Sequence, residues 1–208
     1  RDLVDGDVQP VLLVGAEVHS TGLDFSDAGR DVTVLFGDGA GAVVLGPTED
    51  PDRGVHAVTI HADGSGATDL WIEAPSSNRS PSRITHEMID DRRIYTRMNG
   101  KQVFRWATEK MPEAAHEVLR ASSKSVADVD LFVPHQANLR INEFVARKLE
   151  IPAEKVVTTI DRYGNTTAAS IPISLSEAWA EGRAKPGTLV LFAAFGSGYT
   201  WGAGLVRM

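Results

Sequence analysis

"VDLFVPHQANLRINEFVARKL", residues 129–149, runs from an unbroken apolar stretch through a proline into a different period. Residues 129–134 read as a strand buried on both faces, because a half-exposed strand would alternate apolar and polar positions. Beyond the proline, Ile141, Phe144, Val145 and Leu149 are spaced by three, one and four, the stripe of an amphipathic helix that stops before Pro152. A buried strand feeding a helix through a short polar turn is the building unit of α/β folds. His135 stands in that turn.

On the C-terminal side, "EKVVTTI" (154–160) is a strand candidate and "TTAASIPISLSEAWAEGR" (166–183) a helix of small residues. Pro186-Gly187 marks a turn, and residues 188–208 read as two strands around Gly196-Ser197-Gly198. Toward the N-terminus, Val103, Phe104, Ala107, Met111, Ala114, Ala115, Val118 and Leu119 trace a helix from Asn99 onward. Pro112 is expected to kink it or bend its partner contacts. Residues 65–96, rich in Ser, Pro, Asn and Arg, have no sustained period and read as the longest loop. "GVHAVTIHADG" (54–64) is a strand. "DVTVLFGDGAGAVVLG" (31–46) reads as two strands around a tight glycine turn, and "VLLVGAE" (11–17) as a strand buried on both faces. Alternating strands and helices in the C-terminal half predict a mostly parallel sheet covered by helices. Ligands of such sheets gather at the carboxyl ends of strands. His135, Asn165 and Phe195-Gly196 each follow a predicted strand end, so one shared site is expected.

The 208 residues, 42% hydrophobic, are enough for a substantial core in one or two domains. No apolar run approaches the ~20 residues of a membrane helix, and the opening "RDLVDGDVQP" has no signal-peptide pattern. A soluble, cytoplasmic protein without membrane contacts is expected. A net charge of −7 argues against general affinity for nucleic acid. Bases nevertheless cluster: six lie between Arg92 and Lys110 against one acid, and Arg140, Arg147 and Lys148 accompany one acid on the 140–148 helix. These are either solvated helix faces or a landing site for an acidic partner.

Cysteine is absent, which removes thiol nucleophiles and thiolate zinc sites from the chain itself. "FGDGAGA" (36–42) lacks the third glycine and the following helix of a dinucleotide fingerprint, so structural turn glycines are favoured, with Asp38 bonding turn amides. Neither Ser65 nor Ser197 sits in a G-x-S-x-G elbow. His56 and His61 fall on opposite faces of a strand, and no metal-ligand spacing is present. By itself His135 reads as a strand-end histidine and Asn165, after Gly164, as a turn residue. Together with the last glycine loop they gain meaning, since a neutral imidazole N–H and a carboxamide NH₂ are donors suited to an oxyanion.

"FGDGAGA", "HADG", "VPHQANLRI", "DRYGNTTAASIP" and "AFGSGYTWGAGLVRM", in that order, resemble the bacterial β-ketoacyl-[acyl-carrier-protein] synthase III enzymes over essentially the whole chain. The resemblance implies the layered αβαβα thiolase-like fold. Residues 1–64 would end its N-terminal half, 65–97 form a loop-rich connection near the active-site entrance, and 98–208 make the C-terminal half. It implies a homodimer that starts fatty-acid synthesis by a Cys-His-Asn site. Cysteine takes the acyl group of acyl-CoA, which then condenses with malonyl on acyl carrier protein as carbon dioxide leaves. His135 and Asn165 match the catalytic pair. Phe195 matches the acyl-pocket phenylalanine, and Gly196 and Ser197 the oxyanion loop, where Ser197 departs from the three glycines common there.

Met98, Gly100, Phe104, Ala137 and Asn138 would border the tunnel for the phosphopantetheine arm, with Arg105, Arg140, Arg147 and Lys148 as the carrier-protein patch. No metal or other cofactor is implied; phosphopantetheine belongs to the substrates. The family's cysteine lies upstream of everything present here. The expectation is therefore a chain lacking its first ~100 to 150 residues, about a domain's worth, and inactive by itself. Two alternatives accompany this reading: a secondary-metabolite starter-unit synthase of the same superfamily, and a non-catalytic partner subunit.

Overall fold

A computed structural model describes residues 9–78 and 80–208; the first eight residues of the stretch read for a signal peptide lie outside it. A four-stranded sheet is its centre. Strands β3 (Gly54–Ala62), β6 (Leu131–Pro134), β7 (Leu189–Gly196) and β8 (Thr200–Arg207) lie in the order β3-β8-β7-β6. Strands β1 (Val11–Glu17) and β2 (Gly39–Leu45) pair separately, and β4 (Leu70–Trp71) pairs with β5 (Arg97–Met98). Three longer helices complete the frame: α3 (Gly100–Ala121), α4 (Leu139–Lys148) and α6 (Ser170–Ala180). Three one-turn helices, α1 (Arg30–Thr33), α2 (His86–Asp90) and α5 (Ile160–Tyr163), sit in connections.

Residues of β6 and β7 are buried on both faces for a direct reason. Phe132, Leu189 and Leu191 join the core made with Met111 and Val118 of α3 and Val145 of α4. Leu131, Val133 and Val190 face the opposite cluster, which includes Ala178 of α6. Each such burial contributes roughly 1.5–3 kcal/mol, which is why these strands are continuously apolar. Beyond α6 lies the β1–β2 pair, and the glycines of β2 allow that contact. A Cβ on Gly41 would approach the Pro172 side chain to 2.9 Å. The described layers thus run α3/α4, sheet, α6, β1/β2.

Several expectations are corrected. Of the sheet's three pairings only β6–β7 is parallel, so the sheet is not mostly parallel. The first run of 31–46 forms α1 and an irregular lead-in, with a strand only from Gly39; four to six apolar residues carry too little period to separate the two states. Residues 154–160 form a 3-10 turn and one bridge, Phe132↔Val156, rather than a strand. β1 is a strand, but Val11, Leu12, Leu13 and Val14 are all exposed, on both of its faces, and among the described residues β2 is its only strand partner. β3 precedes residue 64 yet bonds to β8 in the C-terminal sheet.

Helix α3 passes through Pro112 without a break. The proline has no N–H to offer the carbonyl of Thr108 one turn earlier. Lys148 Nζ of α4 lies 3.5 Å from that oxygen, at the outer limit of a hydrogen bond. Pro112 therefore shapes a partner contact instead of ending the helix.

Glycines also bring β1 against the 167–169 turn, because a Cβ on Gly15 would stand 2.2 Å from the Ala168 carbonyl oxygen. Backbone cannot yield there as a flexible side chain would. Gly15→Ala should lower stability by roughly 1–3 kcal/mol, measured by urea unfolding; unchanged stability would show that the two segments separate freely.

Candidate functional site

His135 follows the carboxyl end of β6, and its N–H donates to Ala193 O of the parallel neighbour β7 at 2.9 Å. Phe195 and Gly196 end β7 itself, so pairing the two strands brings His135 and the glycine loop to one edge. Asn165 arrives differently. It follows α5 and Gly164, whose φ of +67° favours glycine. Its N–H donates to Leu35 O at 2.7 Å, and its own carbonyl accepts from Gly37 N at 3.0 Å. The expected strand end before Asn165 is absent; this bridge to Phe36 positions it instead.

Gln136 ties the two arrivals together. The side chain is buried, and its amide NH₂ donates to Pro134 O at 2.9 Å and Val157 O at 3.1 Å. Its carbonyl accepts from Thr159 N at 3.0 Å and Ile160 N at 3.2 Å, at the start of α5. All four hydrogen-bonding positions of the amide are thereby used.

These elements enclose a cavity of about 870 Å³, within the range of small-molecule sites. His135, Asn165, Phe195, Gly196 and Ser197 border it. So do Met98, Gly100, Phe104, Ala137 and Asn138, the residues expected along the tunnel. Asn138 also caps α4, its Oδ1 accepting from Arg140 N at 2.9 Å. Tyr199, buried beneath the loop, contacts Phe195 with ring centroids 5.0 Å apart and donates to Asp69 at 2.6 Å. Desolvation, then this bond to a carboxylate, raises its pKa above the usual phenol value.

The two central side chains each have a hydrogen bond that determines what they can offer. His135 Nδ1 lies 2.6 Å from the hydroxyl of buried Ser170. An imidazole that accepts this hydroxyl proton at Nδ1 carries its own proton on Nε2. Burial pushes the imidazole down from 6.5 to about 4. The ring retains some accessible area because one side meets the cavity, and solvent there opposes part of the shift. Both limits lie below pH 7, so the neutral form dominates at neutrality. The Asn165 Oδ1 accepts from Thr167 N at 2.9 Å, which makes Nδ2 the remaining, donating end.

Sequence reading missed Ser170, Thr167 and Glu17, of which Glu17 and Thr167 also border the cavity. Two of these hydroxyls stand within "NTTAASIP", where side chains near a helix start could have been examined for partners. Glu17 gives no local signal, because its partner Thr167 is 150 positions away. Asp38 does not serve its own turn; it accepts from Ser20 N at 2.8 Å and from the Ser20 hydroxyl at 2.5 Å. Those bonds hold its carboxyl below the ordinary value.

Of the basic run 92–110, Arg92, Arg93, Arg97 and Lys110 are paired with Asp24, Glu73, Glu73 and Glu113, which reduces that run as a free patch. Arg105, Arg140, Arg147 and Lys148 are exposed. Arg147 lies over the Phe144 ring at 5.9 Å, and Phe144 meets the cavity-lining Phe104 edge to face at 6.2 Å. Three of these cations thus belong to a helix joined directly to the cavity wall. His61 contacts Glu117 at 2.7 Å and stacks on Trp201. Among the described residues no group of three or more His, Cys, Asp or Glu could hold a metal ion, and no helix is long and apolar enough to cross a membrane.

Known proteins share this fold and much of this sequence. The family described as 3-Oxoacyl-[acyl-carrier-protein (ACP)] synthase III matches residues 2–64, and 3-Oxoacyl-[acyl-carrier-protein (ACP)] synthase III C terminal matches residues 119–208. The chain is 44% identical to a β-ketoacyl-[acyl-carrier-protein] synthase III of Granulibacter bethesdensis over 98% of its own length and 60% of the relative's. The crystal structure of 3-oxoacyl-[acyl-carrier-protein] synthase III from Aquifex aeolicus is similar with a TM-score of 0.84 and 42% identity, over 98% of this chain and 59% of that one. The priming β-ketosynthase of the R1128 polyketide biosynthetic pathway gives a TM-score of 0.81 at 33% identity, over 97% and 58% of the two chains. The chain thus spans about 60% of the length of the curated relatives it matches. From its motifs, its layers and these matches on either side of the 65–118 segment, the chain belongs to the 3-oxoacyl-[acyl-carrier-protein] synthase III family.

Proposed function

We propose that this chain is the malonyl-handling part of a cytoplasmic, homodimeric synthase that starts fatty-acid synthesis. Its substrates are an acyl-CoA and malonyl on acyl carrier protein, and no cofactor beyond their phosphopantetheine is needed. The observation that carries this reading is the meeting of His135 and Asn165 on one cavity, each bonded on its far side; with Ser170 donating to Nδ1, Nε2–H of His135 and Nδ2–H of Asn165 remain to donate.

Decarboxylation of a malonyl thioester breaks the bond between the α-carbon and the carboxylate. Carbon dioxide leaves, and the electron pair becomes tolerable only when the thioester oxygen takes the charge as an enolate. His135 and Asn165 hold that oxygen by donors fixed in place before the charge develops, which is where such donors act most strongly. The α-carbon then attacks the acyl carbonyl held on a cysteine, whose thiolate leaves. With no cysteine in the chain, the acyl-bearing residue comes from outside this sequence, and the chain alone condenses nothing. Gly196 and Ser197 border the acyl carbonyl through their backbone, and Phe195 packs on the acyl group.

Likeness to the R1128 priming enzyme supports a starter-unit synthase as the second reading. The two differ in the acyl-CoA accepted, which product analysis across acyl-CoAs decides.

In the intact synthase, His135→Ala or Asn165→Ala should slow malonyl decarboxylation about ten- to a thousand-fold, with cysteine acylation within a few-fold of the parent. Equal loss in both half-reactions would refute the division of labour. Reversing Arg140 and Arg147 to Glu should raise KM for malonyl-carrier protein and spare acyl-CoA, because acidic carrier proteins gain encounter rate from a basic patch; unchanged carrier kinetics at low salt would remove that role. The third expectation concerns pH. Between 6.5 and about 4 the unfolded chain binds a proton that folded His135 refuses, so stability rises with pH in that window and is lost on acidification. Lowering pH from about 7 to about 4.5 should therefore cost the parent about 2 kcal/mol more than His135→Gln, read from urea unfolding at each pH. Identical losses would mean that the ring is not desolvated.

A further inference from the structure

Glu17 ends β1 and lies two residues after Gly15, so both side-chain positions point to the same face of the strand. That face rests on the turn after Asn165, as the 2.2 Å approach of a Gly15 Cβ to Ala168 O demonstrates. Thr167 in this turn has φ of +43°, a left-handed conformation that a β-branched residue adopts only under constraint. Its hydroxyl donates to Glu17 Oε2 at 2.7 Å, and its backbone N–H donates to Asn165 Oδ1 at 2.9 Å. One residue therefore joins a carboxylate on β1 to the amide that faces the cavity.

We propose that Glu17 is a positioning residue for Asn165: by anchoring the Thr167 hydroxyl it keeps the Thr167 N–H on Asn165 Oδ1 and so presents Nδ2 to the cavity. This rests on the proposed role of Asn165 as an enolate donor. The physical consequence follows from the two ends of a carboxamide. Held as it is, Asn165 offers a donor to a developing oxyanion. Released from Thr167, the amide can turn, and its carbonyl oxygen would then face negative charge. Thr167 has little reason to remain at positive φ once its hydroxyl partner is gone, since that conformation costs on its own. Glu17 supplies an acceptor for this task and no proton, so its charge is dispensable while its oxygen is not.

The test measures malonyl decarboxylation and cysteine acylation separately in the intact synthase. Glu17→Ala should lower decarboxylation about ten-fold or more and leave acylation unchanged, which also reports that the enzyme is folded. Glu17→Gln keeps an acceptor oxygen and should restore the rate to within a few-fold of the parent. Thr167→Val, which removes only the hydroxyl, should reproduce the Glu17→Ala loss. Placed on an Asn165→Ala background, Glu17→Ala should cost nothing further, because its effect passes through an amide already removed. The inference is overturned if Glu17→Ala leaves decarboxylation intact, if Glu17→Gln is as slow as Glu17→Ala, or if the Glu17 and Asn165 losses multiply. A raised KM for the malonyl substrate at unchanged kcat would likewise overturn it, by assigning Glu17 to binding. Normal decarboxylation by Asn165→Ala alone would instead sink the enolate-donor reading on which it stands.

Discussion

Gln136 joins the end of β6 to the beginning of α5 through four hydrogen bonds made by one buried amide. On one side of it, in the adjacent position, stands His135. On the other, five residues beyond Ile160, stands Asn165. Buried amides left without partners are costly, roughly 1–3 kcal/mol for each unsatisfied group, and this one has none unsatisfied. The same satisfaction that makes Gln136 tolerable in the core makes the separation between the two segments rigid. Thr159 extends the connection by bonding Ser174 of α6 at 2.8 Å. The backbone segments that carry His135 and α5 are thereby tied to each other through buried polar groups.

Around that junction the site is built in two tiers. The inner tier is His135 and Asn165, the proposed donor pair. The outer tier consists of groups that never need to meet substrate: the Ser170 hydroxyl behind the imidazole, and Thr167 with Glu17 behind the amide. An imidazole and a carboxamide each have one donor end and one acceptor end, so their chemistry depends on orientation as much as on identity. Burial adds to this by keeping the imidazole neutral. Orientation is thus the main thing the protein supplies, and it supplies it from behind.

The cavity wall is continuous with the surface that bears the cations. Phe104 and Phe144 meet between α3 and α4, and Arg147 covers the outer ring. Pro112 contributes indirectly, since the carbonyl it leaves without an N–H has Lys148 beside it. Four of the six bases along residues 92–110 are spent on internal ion pairs. The cations of α4 adjoin the cavity wall by packing, through Phe144 and Phe104, rather than by sequence proximity alone.

Particular residues mark how far the chain could be read. The stripe of Ala107, Met111, Ala114, Val118 and Leu119 was legible because three turns or more of a period leave little ambiguity, and all five are buried. The β6–turn–α4 passage was legible for the same reason, and with it the place of His135. The runs at 31–36 and 154–160 were not, being too short for their period to discriminate and settled by a bridge to Asn165 in one case and to Phe132 in the other. β1 looked like an interior strand but is exposed on both faces over residues 11–14, because apolar composition states what a residue prefers and not what covers it.

The amino-acid order alone determined the α/β class, the family likeness, the absence of any thiol, and the identity of His135 and Asn165 as donors worth pairing. Tertiary structure alone decided that they share one cavity, that the sheet is largely antiparallel, and that Ser170 bonds His135 while Thr167, itself bonded to Glu17, bonds Asn165. The reason is physical. Periodicity and side-chain chemistry act over a few residues, whereas a hydrogen bond across 150 positions exists only after backbones have been packed to within a glycine's reach.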